Sequence, residues 1–555
     1  MATYSQEITQ ILVQAGCEKA FGVSGGYIFP LWKSIASSDI AVYHFRHETG
    51  AVFAAMEASL YTDKITIAFA TSGPGISNSV SGLQSARAGG ARLVFLSAIT
   101  AEDSKGPYRV QETTPAMVDR LVGKQINYPL SHSIIVRNAD DLLKMRGLLL
   151  ELSENPSGFV LGIFLALDVQ ESPVLFKSQE VMPPILPHHG LAAVEDYTYL
   201  SKQAQALSER LRIGKWVLWI GYGTRRASKL VCQLSEEYGM PVICTPRAKG
   251  IFPENHDMFL GVSGLGSTIS SQTVDGIYDG ALVLGTRLGE LSSLHMQMKW
   301  SKTKLVCVNL SRSEVYRNVP SNSTIIKANI DKFLNMMVTS RPSKCCKELP
   351  LPLIPRIQAK DPFLVHPVTV MSVVQSIAIN KHSCCVLADV GNSLCWATHY
   401  LKFTQPRQYR LSLDIAAMGH GSCGAVGVGL SGTTAVAIVG DGAMLMQSEV
   451  SSAVQYQSSV IWLVMNDSRY NMCHQILSTY DNTPPCCDIT SVDFAQYAQA
   501  LGCKGYTATS GNELEELLEK ALSRQGPTMI DVKIDRIAKA PSGGRSDSLK
   551  TMSSK

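Results

Sequence analysis

Short apolar runs alternate with stretches of helical periodicity almost from the first residue to about residue 535. The runs at 19–23, 216–220 and 460–465 are rich in β-branched and other apolar residues, and we interpret them as strands. Strands that are apolar on both faces are typical of parallel sheets covered by helices on each side. The pattern therefore predicts an α/β fold made of doubly wound parallel sheets.

Two proline-rich stretches, residues 169–190 and 341–367, interrupt this rhythm. Prolines at this density favour extended connections, so we interpret both stretches as linkers. They divide the chain into three predicted domains, residues 1–170, 191–340 and 365–535, followed by a polar tail, residues 536–555, that we expect to be flexible or to act as a lid. The length of 555 residues agrees, since one domain takes roughly 150 residues.

Glycine turns follow predicted strands in each of the three domains. In the first and third domains a strand, a glycine turn at 72–75 or 440–442, and a helix follow one another, so we expect related architectures. In the middle domain the turn at 221–227 reads GxGxxxA, which is similar to the GxGxxG/A fingerprint of a dinucleotide site. Such a site would also need an acidic residue about 20 residues later. Residues 241–247 contain no carboxylate. We therefore interpret that turn as a tight turn with close helix packing.

Composition narrows the classes of function. Apolar residues make up 45% of the chain, and Lys+Arg 50 against Asp+Glu 46 leaves a net charge of +4, which is typical of a compact globular protein. The small basic excess forms no stripe, so we expect neither a nucleic-acid partner nor a membrane-surface role. No apolar stretch reaches the ~18 residues of a membrane helix and no signal pattern is visible, so we expect a cytoplasmic protein.

The 14 cysteines show no CxxC spacing, and several of them are adjacent in the sequence, such as Cys486 and Cys487. We interpret them as reduced thiols that mostly pack in the core. A soft-metal site on adjacent cysteines is the weaker alternative.

The sharpest chemical pattern is a carboxylate at the end of each of two neighbouring predicted strands. Asp441, between Gly440 and Gly442, follows one strand, and Asp467 follows the next. The carboxyl ends of such strands meet at one edge of a sheet, where α/β proteins bind ligands. Two oxygen ligands suit Mg²⁺, and the glycines let backbone N–H groups approach a diphosphate. An ordinary Asp-Gly turn is the alternative for the first motif alone.

Glu48 lies just before an alanine-rich helical stretch, residues 51–60, and follows Arg46 and His47 directly. An acidic residue at that place commonly caps the helix. If the first and third domains face each other, Glu48 instead lies at the far end of the cofactor whose diphosphate Asp441 anchors. A carboxyl group in an apolar interface has its charged form disfavoured, so it can share a proton with a ring nitrogen.

The order of these motifs resembles the thiamine diphosphate enzymes of the acetolactate synthase and 2-oxo acid decarboxylase superfamily. The resemblance covers residues 1 to about 535 and rests on Glu48, the turn at 72–75, Asp441 and Asp467. Shorter matching stretches lie at 22–30, 166–170, 249–253, 285–287 and 417–419. The middle domain and Asp168 are most similar to the acetolactate synthase branch.

The resemblance implies a pyrimidine-binding first domain, a central Rossmann-like domain and a third domain that binds diphosphate and Mg²⁺. It implies thiamine diphosphate and Mg²⁺ as cofactors, with Asp441, Asp467 and the main-chain carbonyl of Arg469 as metal ligands. The residues implied to bind the coenzyme are Glu48, Gly73, Gly391, Asn392, Ser393, Met418, Gly440, Gly442, Ala443, Met444, Asn471 and Met472.

Individual roles follow from the same resemblance. Glu48 is implied to hydrogen-bond N1′ of the pyrimidine, and Met418 to lie under the thiazolium ring and hold the coenzyme bent. Gly26 and Gln111 join Glu48 as candidate catalytic residues, with a surface polar role as the alternative for Gln111. In the family the Glu48 block of one subunit faces the Asp441 block of another, which implies a homodimer or homotetramer with the site between subunits.

Three departures from the family pattern bear on the reaction. Asp467 stands where the family usually has asparagine, which adds a negative charge at the metal. Ile476 stands where acetolactate synthases carry a tryptophan that shapes the acceptor site. The adjacent histidines of pyruvate decarboxylases are absent after the turn at 72–75, and we interpret His188 and His189 in the first linker as a solvated pair.

We therefore expect a carboligase that decarboxylates a 2-oxo acid such as pyruvate and transfers the acyl unit to an acceptor carbonyl. A non-oxidative decarboxylase that releases an aldehyde is the alternative. An alternative of another class is a catalytically silent regulatory homologue, but the retention of Glu48 and Asp441 disfavours a silent homologue. FAD is compatible with residues 261–264 and 285–287 but is not predicted, because acetolactate synthases hold it and other branches do not.

Overall fold

The computed structural model describes residues 1–100, 109–123, 129–154, 157–175, 197–300, 303–338, 350–479, 486–545 and 549. Within these ranges the strands form three six-stranded sheets, and every paired strand runs parallel to its neighbours. This confirms the predicted α/β fold of three doubly wound sheets. None of the helices in the described ranges is both long enough and apolar enough to cross a bilayer.

The first domain is built around strands that are buried on both faces. Along one central strand, Leu93 and Phe95 belong to one buried cluster, and Val94 and Leu96 belong to another on the opposite face. The helices and strands in chain order are α1 (Tyr4–Gln14), β1 (Lys19–Val23), α2 (Phe29–Ala36), β2 (Ala41–His44), α3 (Glu48–Thr62), β3 (Thr66–Ala70), α4 (Pro74–Gly89), β4 (Arg92–Ile99), α5 (Pro115–Val122), β5 (His132–Val136), α6 (Ala139–Glu154), β6 (Phe159–Ala166) and α7 (Leu167–Glu171). The sheet order is β2-β1-β3-β4-β6-β5.

The middle domain continues the alternation of strands and helices. Its elements are α8 (Tyr197–Ile213), β7 (Trp216–Ile220), α9 (Ser228–Tyr238), β8 (Val242–Cys244), β9 (Phe259–Val262), β10 (Gly280–Leu284), α10 (Glu290–Ser293), α11 (Met296–Lys299), β11 (Lys304–Asn309), α12 (Arg312–Tyr316), β12 (Thr324–Lys327) and α13 (Ile330–Met337), with sheet order β12-β11-β10-β7-β8-β9. The glycine turn after β7 is tight, as predicted. Its close neighbour, however, is the turn after β10: the N–H of Gly223 donates to the carbonyl of Gly285 at 2.9 Å.

The third domain repeats the connectivity of the first. Its elements are α14 (Pro367–Val373), β13 (Cys385–Ala388), α15 (Asn392–Tyr400), β14 (Tyr409–Arg410), α16 (His420–Gly429), β15 (Ala435–Gly440), α17 (Asp441–Met444), α18 (Val450–Gln455), β16 (Val460–Asn466), α19 (Asn471–Leu477), α20 (Phe494–Ala500), β17 (Lys504–Ala508), α21 (Gly511–Leu522) and β18 (Thr528–Lys533). The sheet order β14-β13-β15-β16-β18-β17 follows the same sequence of connections as the first sheet, so the shared pattern of the two domains does reflect one architecture.

The strands of each sheet fall within one predicted domain, but the boundaries themselves stay predictions. Helix α7 covers the first residues of the first predicted linker, to Glu171, and α14 begins at Pro367, the last residue of the second. Residues 176–190, including His188 and His189, lie outside the described residues. In the tail, the carbonyl of Ala538 accepts from Nε2 of Gln475 at 3.0 Å, and the N–H of Ala540 donates to Oε1 of the same side chain at 3.1 Å. This part of the tail therefore packs on α19.

Helix α3 joins the first domain to the third. It is buried around its whole circumference, and it packs closely along α16. At the closest approach, a Cβ added to Gly427 of α16 would lie 2.1 Å from the carbonyl oxygen of Ala54. Only a residue without a side chain allows this spacing.

A buried ion cluster reinforces the same contact. The carboxylate of Glu57 in α3 accepts from Nε of Arg410 at 2.7 Å and lies 2.9 Å from Nε2 of His420. Burial raises the pKa of Glu57, but Arg410 and His420 outweigh burial and bring that pKa to about 2. Since both partners come from the third domain, the charged carboxylate fixes α3 against it.

Gly427→Ala should destabilise the protein because the added methyl group collides with backbone that cannot move independently. We expect the free energy of unfolding to fall by about 1–3 kcal/mol, measured by urea denaturation. Gly147→Ala in α6 is the matched control, since its Cβ meets nothing within 4 Å. That control should gain stability by roughly 0.5–1 kcal/mol. Equal effects of the two substitutions would contradict the close packing of α3 on α16.

Candidate functional site

A cavity of about 160 Å³ opens at the carboxyl ends of β13, β15 and β16. These strands are neighbours in the third sheet, so the segments that follow them converge. Most of the predicted site residues of this domain line the cavity: Gly391, Asn392, Ser393, Met418, Gly440, Asp441, Gly442, Ala443, Asp467, Arg469, Asn471 and Met472. Met444 does not, since it is fully buried in the core beneath.

Asp441 and Asp467 lie side by side on the cavity wall. One carboxylate oxygen of Asp441 accepts from the backbone N–H of Gly442 at 2.7 Å, and the other accepts from the backbone N–H of Asp467 at 3.2 Å. Burial raises the pKa of Asp441 in spite of these bonds. Burial and the neighbouring charge of Asp441 together raise the pKa of Asp467 to about 7.

The donor set of this wall fits a divalent cation with oxygen ligands. Two carboxylates that disfavour each other's charge are both stabilised when a cation lies between them. Asn471 donates to Asp467 at 2.6 Å, and its buried Oδ1 has no hydrogen-bond partner among the described residues, so an amide oxygen is also present. Among the residues that the structure describes, no group of three or more Asp, Glu, His or Cys side chains could hold a metal ion by itself. Phosphate or water oxygens would therefore complete the shell, as Mg²⁺ prefers.

Glycines leave an open floor beside the carboxylates. A Cβ added at Gly391 or Gly440 would meet nothing within 4 Å, and Gly391 has φ +121°, which residues with side chains rarely adopt. Helix α15 begins directly after Gly391, and its first two residues line the cavity. The free N–H groups of such a first helical turn bind phosphate oxygens, so the floor suits a diphosphate.

Asp389 organises this floor and was not predicted from the sequence. Its side chain is 1% exposed and accepts from the backbone N–H groups of Val390, Gly419 and Ser422 at 2.8, 3.2 and 3.1 Å. Burial raises its pKa, and these hydrogen bonds oppose that shift. Because one carboxylate holds both the turn before α15 and the turn that carries Met418, the two walls of the cavity are fixed relative to each other.

Glu48 is the first residue of α3, and it is buried at 9% exposure. The capping role falls to His47, whose Nδ1 accepts from the N–H of Thr49 at 3.2 Å. One carboxylate oxygen of Glu48 instead accepts from Nδ2 of Asn78 at 3.1 Å. The helix-cap alternative for Glu48 is therefore wrong.

Glu449 of the third domain fixes the start of α3. Its buried carboxylate accepts from the backbone N–H groups of Arg46, at 3.1 and 3.3 Å, and of His47, at 3.0 Å. A Cβ at Gly50 would lie 2.7 Å from Oε1 of Glu449, so the glycine makes room for it. Burial raises the pKa of Glu449 against the effect of these bonds. The sequence pattern gave no sign of this contact, because it forms only when the third domain packs against the first.

The other predicted residues of the first domain gather near one another. Gly73 has φ +65°, its N–H donates to Oγ1 of Thr113 at 2.7 Å, and an added Cβ would lie 3.0 Å from Cβ of Gln111. Gln111 is exposed, and the turn that holds Gly26 lies against Thr71 through Gly25. Neither these residues nor Glu48 line the cavity of Asp441 in the same chain. The predicted site is therefore present as two separate halves.

A second cavity, of about 410 Å³, lies where the three domains meet. Five arginines line it: Arg87, Arg225, Arg226, Arg247 and Arg287. They outnumber the acidic residues on its walls, which are Glu314, Asp331 and Asp414, so the cavity favours an anionic ligand. Of the two segments compatible with FAD, residues 285–287 line this cavity and residues 261–264 do not.

Three family models match the chain. The N-terminal TPP binding domain of thiamine pyrophosphate enzymes matches residues 2–121, the central domain matches residues 200–337, and the C-terminal TPP binding domain matches residues 389–532. Glu48 falls in the first match, and Asp441 and Asp467 fall in the last. The two halves of the site are thus divided between the two TPP binding domains.

The similar proteins are named as acetolactate synthases or as a decarboxylase. The acetolactate synthase isozyme 1 large subunit of Escherichia coli K12 is 23% identical over 549 residues, which is 96% of this chain and 94% of that protein. The acetolactate synthase large subunit of Haemophilus influenzae is 25% identical over 577 residues, with coverage of 96% and 94%. The solved thiamine diphosphate-dependent 4-hydroxybenzoylformate decarboxylase of Rhodococcus jostii RHA1 has the same fold, with TM-score 0.80, 19% identity and coverage of 96% and 99%.

Asp467→Asn should stabilise the protein above neutral pH when no divalent cation is present. The pKa of Asp467 is about 7 in the folded chain against an ordinary value of 3.8, so the unfolded chain loses this proton first. The wild type therefore loses stability as the pH rises from about 4 to 7 and does not regain it above. We expect the variant to exceed the wild type by roughly 2 kcal/mol at pH 8, in urea unfolding with a chelator.

Two controls accompany that comparison. Excess Mg²⁺ should narrow the gap between the Asp467→Asn variant and the wild type, because the cation neutralises the carboxylate pair. Asp39→Asn changes an exposed aspartate and should leave the unfolding free energy unchanged. Identical unfolding free energies of the Asp467→Asn variant and the wild type at every pH would contradict the buried carboxylate pair.

Glu449→Ala should destabilise the junction between the first and third domains. The substitution leaves the part-buried N–H groups of Arg46 and His47 without an acceptor, which costs about 1–3 kcal/mol of unfolding free energy in total. Glu513→Ala is the matched control, since Glu513 accepts from the N–H of Thr509 at an exposed site. The control should lose only about 1 kcal/mol or less in the same urea titration. Similar losses for both variants would show that Glu449 does not hold α3.

Proposed function

Because the chain belongs to the thiamine pyrophosphate enzymes, we propose that it is a carboligase dependent on thiamine diphosphate and Mg²⁺. It would decarboxylate a 2-oxo acid such as pyruvate and transfer the acyl unit to an acceptor carbonyl. The observation that carries the proposal is the buried pair Asp441 and Asp467 beside an open glycine floor, since a cation and a diphosphate together satisfy both features. Similarity to acetolactate synthases over nearly the whole chain favours acyl transfer over aldehyde release.

The residues of the third domain would bind the charged end of the coenzyme. Asp441, Asp467 and the amide oxygen of Asn471 would hold Mg²⁺, and we propose the main-chain carbonyl of Arg469 as a further ligand. The first turn of α15 and the glycines beside Asp441 would bind the diphosphate oxygens. When bound, the thiazolium group supplies the electron sink that decarboxylation of a 2-oxo acid requires. Met418, on the opposite wall, would support that ring.

Glu48 would hold a proton against the pyrimidine ring. Its side chain is buried at 9% exposure, so a ring nitrogen placed against it would share a proton with it away from bulk water. Asn78 holds one of its oxygens, and Glu449 fixes the backbone just before it, so the carboxyl group keeps one orientation. We propose that this orientation, more than the identity of the neighbouring side chains, makes the proton transfer efficient.

A second copy of the chain would complete the site. Glu48 does not line the cavity of Asp441 within one chain, because α3 packs on α16 instead. Exposed apolar side chains lie beside that cavity: Leu445 is 46% exposed, Met446 60% and Tyr470 40%. Apolar residues with this exposure around a cavity are typical of a subunit interface. We therefore propose a homodimer or homotetramer in which each Asp441 cavity faces Glu48 of the partner subunit.

A non-oxidative decarboxylase is the second candidate. Ile476 favours it, because the acceptor-shaping tryptophan of acetolactate synthases is missing there. Ile476 lies in α19, the helix that places Asn471 and Met472 on the cavity wall. The two candidates share the decarboxylation step and differ only in the later fate of the acyl unit.

Product analysis separates the two candidates. Purified protein with Mg²⁺, thiamine diphosphate and pyruvate should release carbon dioxide and form acetolactate or an acyloin, identified by gas chromatography with mass spectrometry. Because pyruvate need not be the donor, other 2-oxo acids are supplied in the same assay. Acetaldehyde or another aldehyde as the sole product would contradict the carboligase, and the absence of turnover on every acid would favour the silent homologue.

Glu48→Gln should abolish turnover without preventing coenzyme binding. The amide cannot share a proton with the ring nitrogen, so we expect kcat to fall by about 100-fold or more. The affinity for Mg²⁺ and thiamine diphosphate, measured by calorimetry, should change by about threefold at most, because the charged end is held by Asp441. Glu18→Gln at an exposed position is the control. Unchanged turnover in the Glu48→Gln variant would show that the assigned chemistry is wrong.

A further inference from the structure

One thiol lines the Asp441 cavity, and two more lie in the neighbouring segment. Cys473 is in α19 and lines the cavity, and Cys486 and Cys487 lie in the segment that pairs with the residues before α19. Cys473 and Cys486 are exposed and Cys487 is half-buried. Among the other described cysteines only Cys232, in the middle domain, is not buried. Within one chain, three of the four described thiols that are not buried therefore lie in or beside the candidate site.

Backbone pairing holds Cys487 beside the start of α19. The N–H of Tyr470 donates to the carbonyl of Cys487 at 2.9 Å, and the N–H of Ile489 donates to the carbonyl of Ser468 at 2.9 Å. An ion pair between Arg469 and Asp488 strengthens the same antiparallel contact. Two short segments that are well separated in the sequence are thus held together.

Helical geometry then brings Cys473 toward Cys487. Tyr470 is the residue before the first turn of α19, and Cys473 lies in that turn. Since the backbone N–H of Tyr470 donates to the carbonyl of Cys487, the first turn of α19 holds Cys473 near Cys487. Burial raises the pKa of the Cys487 thiol, and the neighbouring Cys473 and Cys486 raise it further, which agrees with three thiols in mutual range.

We propose that Cys473 and Cys487 are a redox modification site, at which a reversible disulfide controls the segment that carries Asp467, Arg469 and Asn471. The oxidant is a small disulfide such as oxidised glutathione. The Cys473 thiolate attacks it, forms a mixed disulfide and releases one glutathione thiol. The Cys487 thiolate then attacks the Cys473 sulfur and releases the second glutathione. Two cysteine thiols are oxidised to one disulfide, the small disulfide is reduced to two thiols, and the cysteine protons pass to them.

The crosslink would restrain the metal-binding segment. Tyr470 lies within it, and its ring lies so close to Gly442 that an added Cβ there would be 2.4 Å from a ring carbon. Asn471 holds Asp467 through its amide at 2.6 Å. A covalent bond from Cys473 to Cys487 therefore fixes both residues from the outer side of the cavity. In the oxidised form we expect slower motion of this segment and, resting on the proposed function, lower activity.

Peptide mapping of the full chain tests the pairing. The protein is incubated with oxidised glutathione or with dithiothreitol, then digested without reduction and analysed by mass spectrometry. We expect a peptide pair joined by Cys473 and Cys487, lighter by two hydrogens than its reduced parts, that dithiothreitol separates. A Cys486 pairing, or glutathione adducts without a crosslink, would overturn the proposal.

Hydrogen exchange tests the consequence without requiring any activity. Oxidation should slow amide exchange across residues 467–477 by about tenfold in the wild type and in the Cys486→Ser and Cys232→Ser controls. Cys487→Ser should show no such slowing. Equal slowing in the Cys487→Ser variant, or none in the wild type once the crosslink is formed, would overturn the proposed control.

Turnover provides the functional measurement. If the reduced enzyme is active, oxidation should lower its activity by about fivefold or more, and dithiothreitol should restore it. The Cys487→Ser variant should keep its activity under the same oxidant, whereas equal loss in that variant would contradict the switch. If the reduced protein shows no turnover, that result contradicts the proposed function alone. The peptide mapping and hydrogen exchange then still test the proposed disulfide.

Discussion

The placement of two carboxylates at the ends of adjacent parallel strands is the constraint on which the rest of the structure depends. Strands β15 and β16 pair in register, so Asp441 and the backbone of Asp467 meet within hydrogen-bond distance. The strand ends hold the two carboxylates close together, and burial raises the pKa of both. The fold thus builds a site with stored electrostatic repulsion, which a bound cation relieves. The glycine floor and Asp389 add the space and the rigidity that a diphosphate requires.

The packing of α3 against α16 explains why Glu48 and the Asp441 cavity stay apart within one chain. This contact uses Gly427, the Glu57 cluster and Glu449, and it leaves Glu48 fixed but away from the Asp441 cavity of its own chain. Glu449 lies eight residues after Asp441, so the domain that binds the metal also positions the acid that we propose acts in the partner's site. Assembly and catalysis would then depend on the same interdomain contact.

Local patterns predicted most of the third-domain site because a strand, a glycine turn and an acidic residue are consecutive in the sequence. The helical stretch after the turn at 440–442 is interrupted: α17 ends at Met444 and α18 begins only at Val450. Between them the Gln447 side chain accepts from the N–H of Glu449 at 2.6 Å. Glu449 could not be assigned because its partners are about 400 residues away in the sequence. The side chain of Met444 is buried in the core, which its position in the motif does not reveal, so its predicted role stays a prediction.

Complementation between inactive variants tests most directly whether two chains build one site. Glu48→Gln and Asp441→Asn chains, each expected to be inactive, are unfolded, mixed in equal amounts and refolded, with each variant refolded alone as the control. In a mixed dimer one site combines the intact Glu48 of one chain with the intact Asp441 of the other, so random assembly should restore about one quarter of wild-type activity. If the mixture stays as inactive as its parents although mixed dimers are recovered, the site does not span two subunits and the account is wrong.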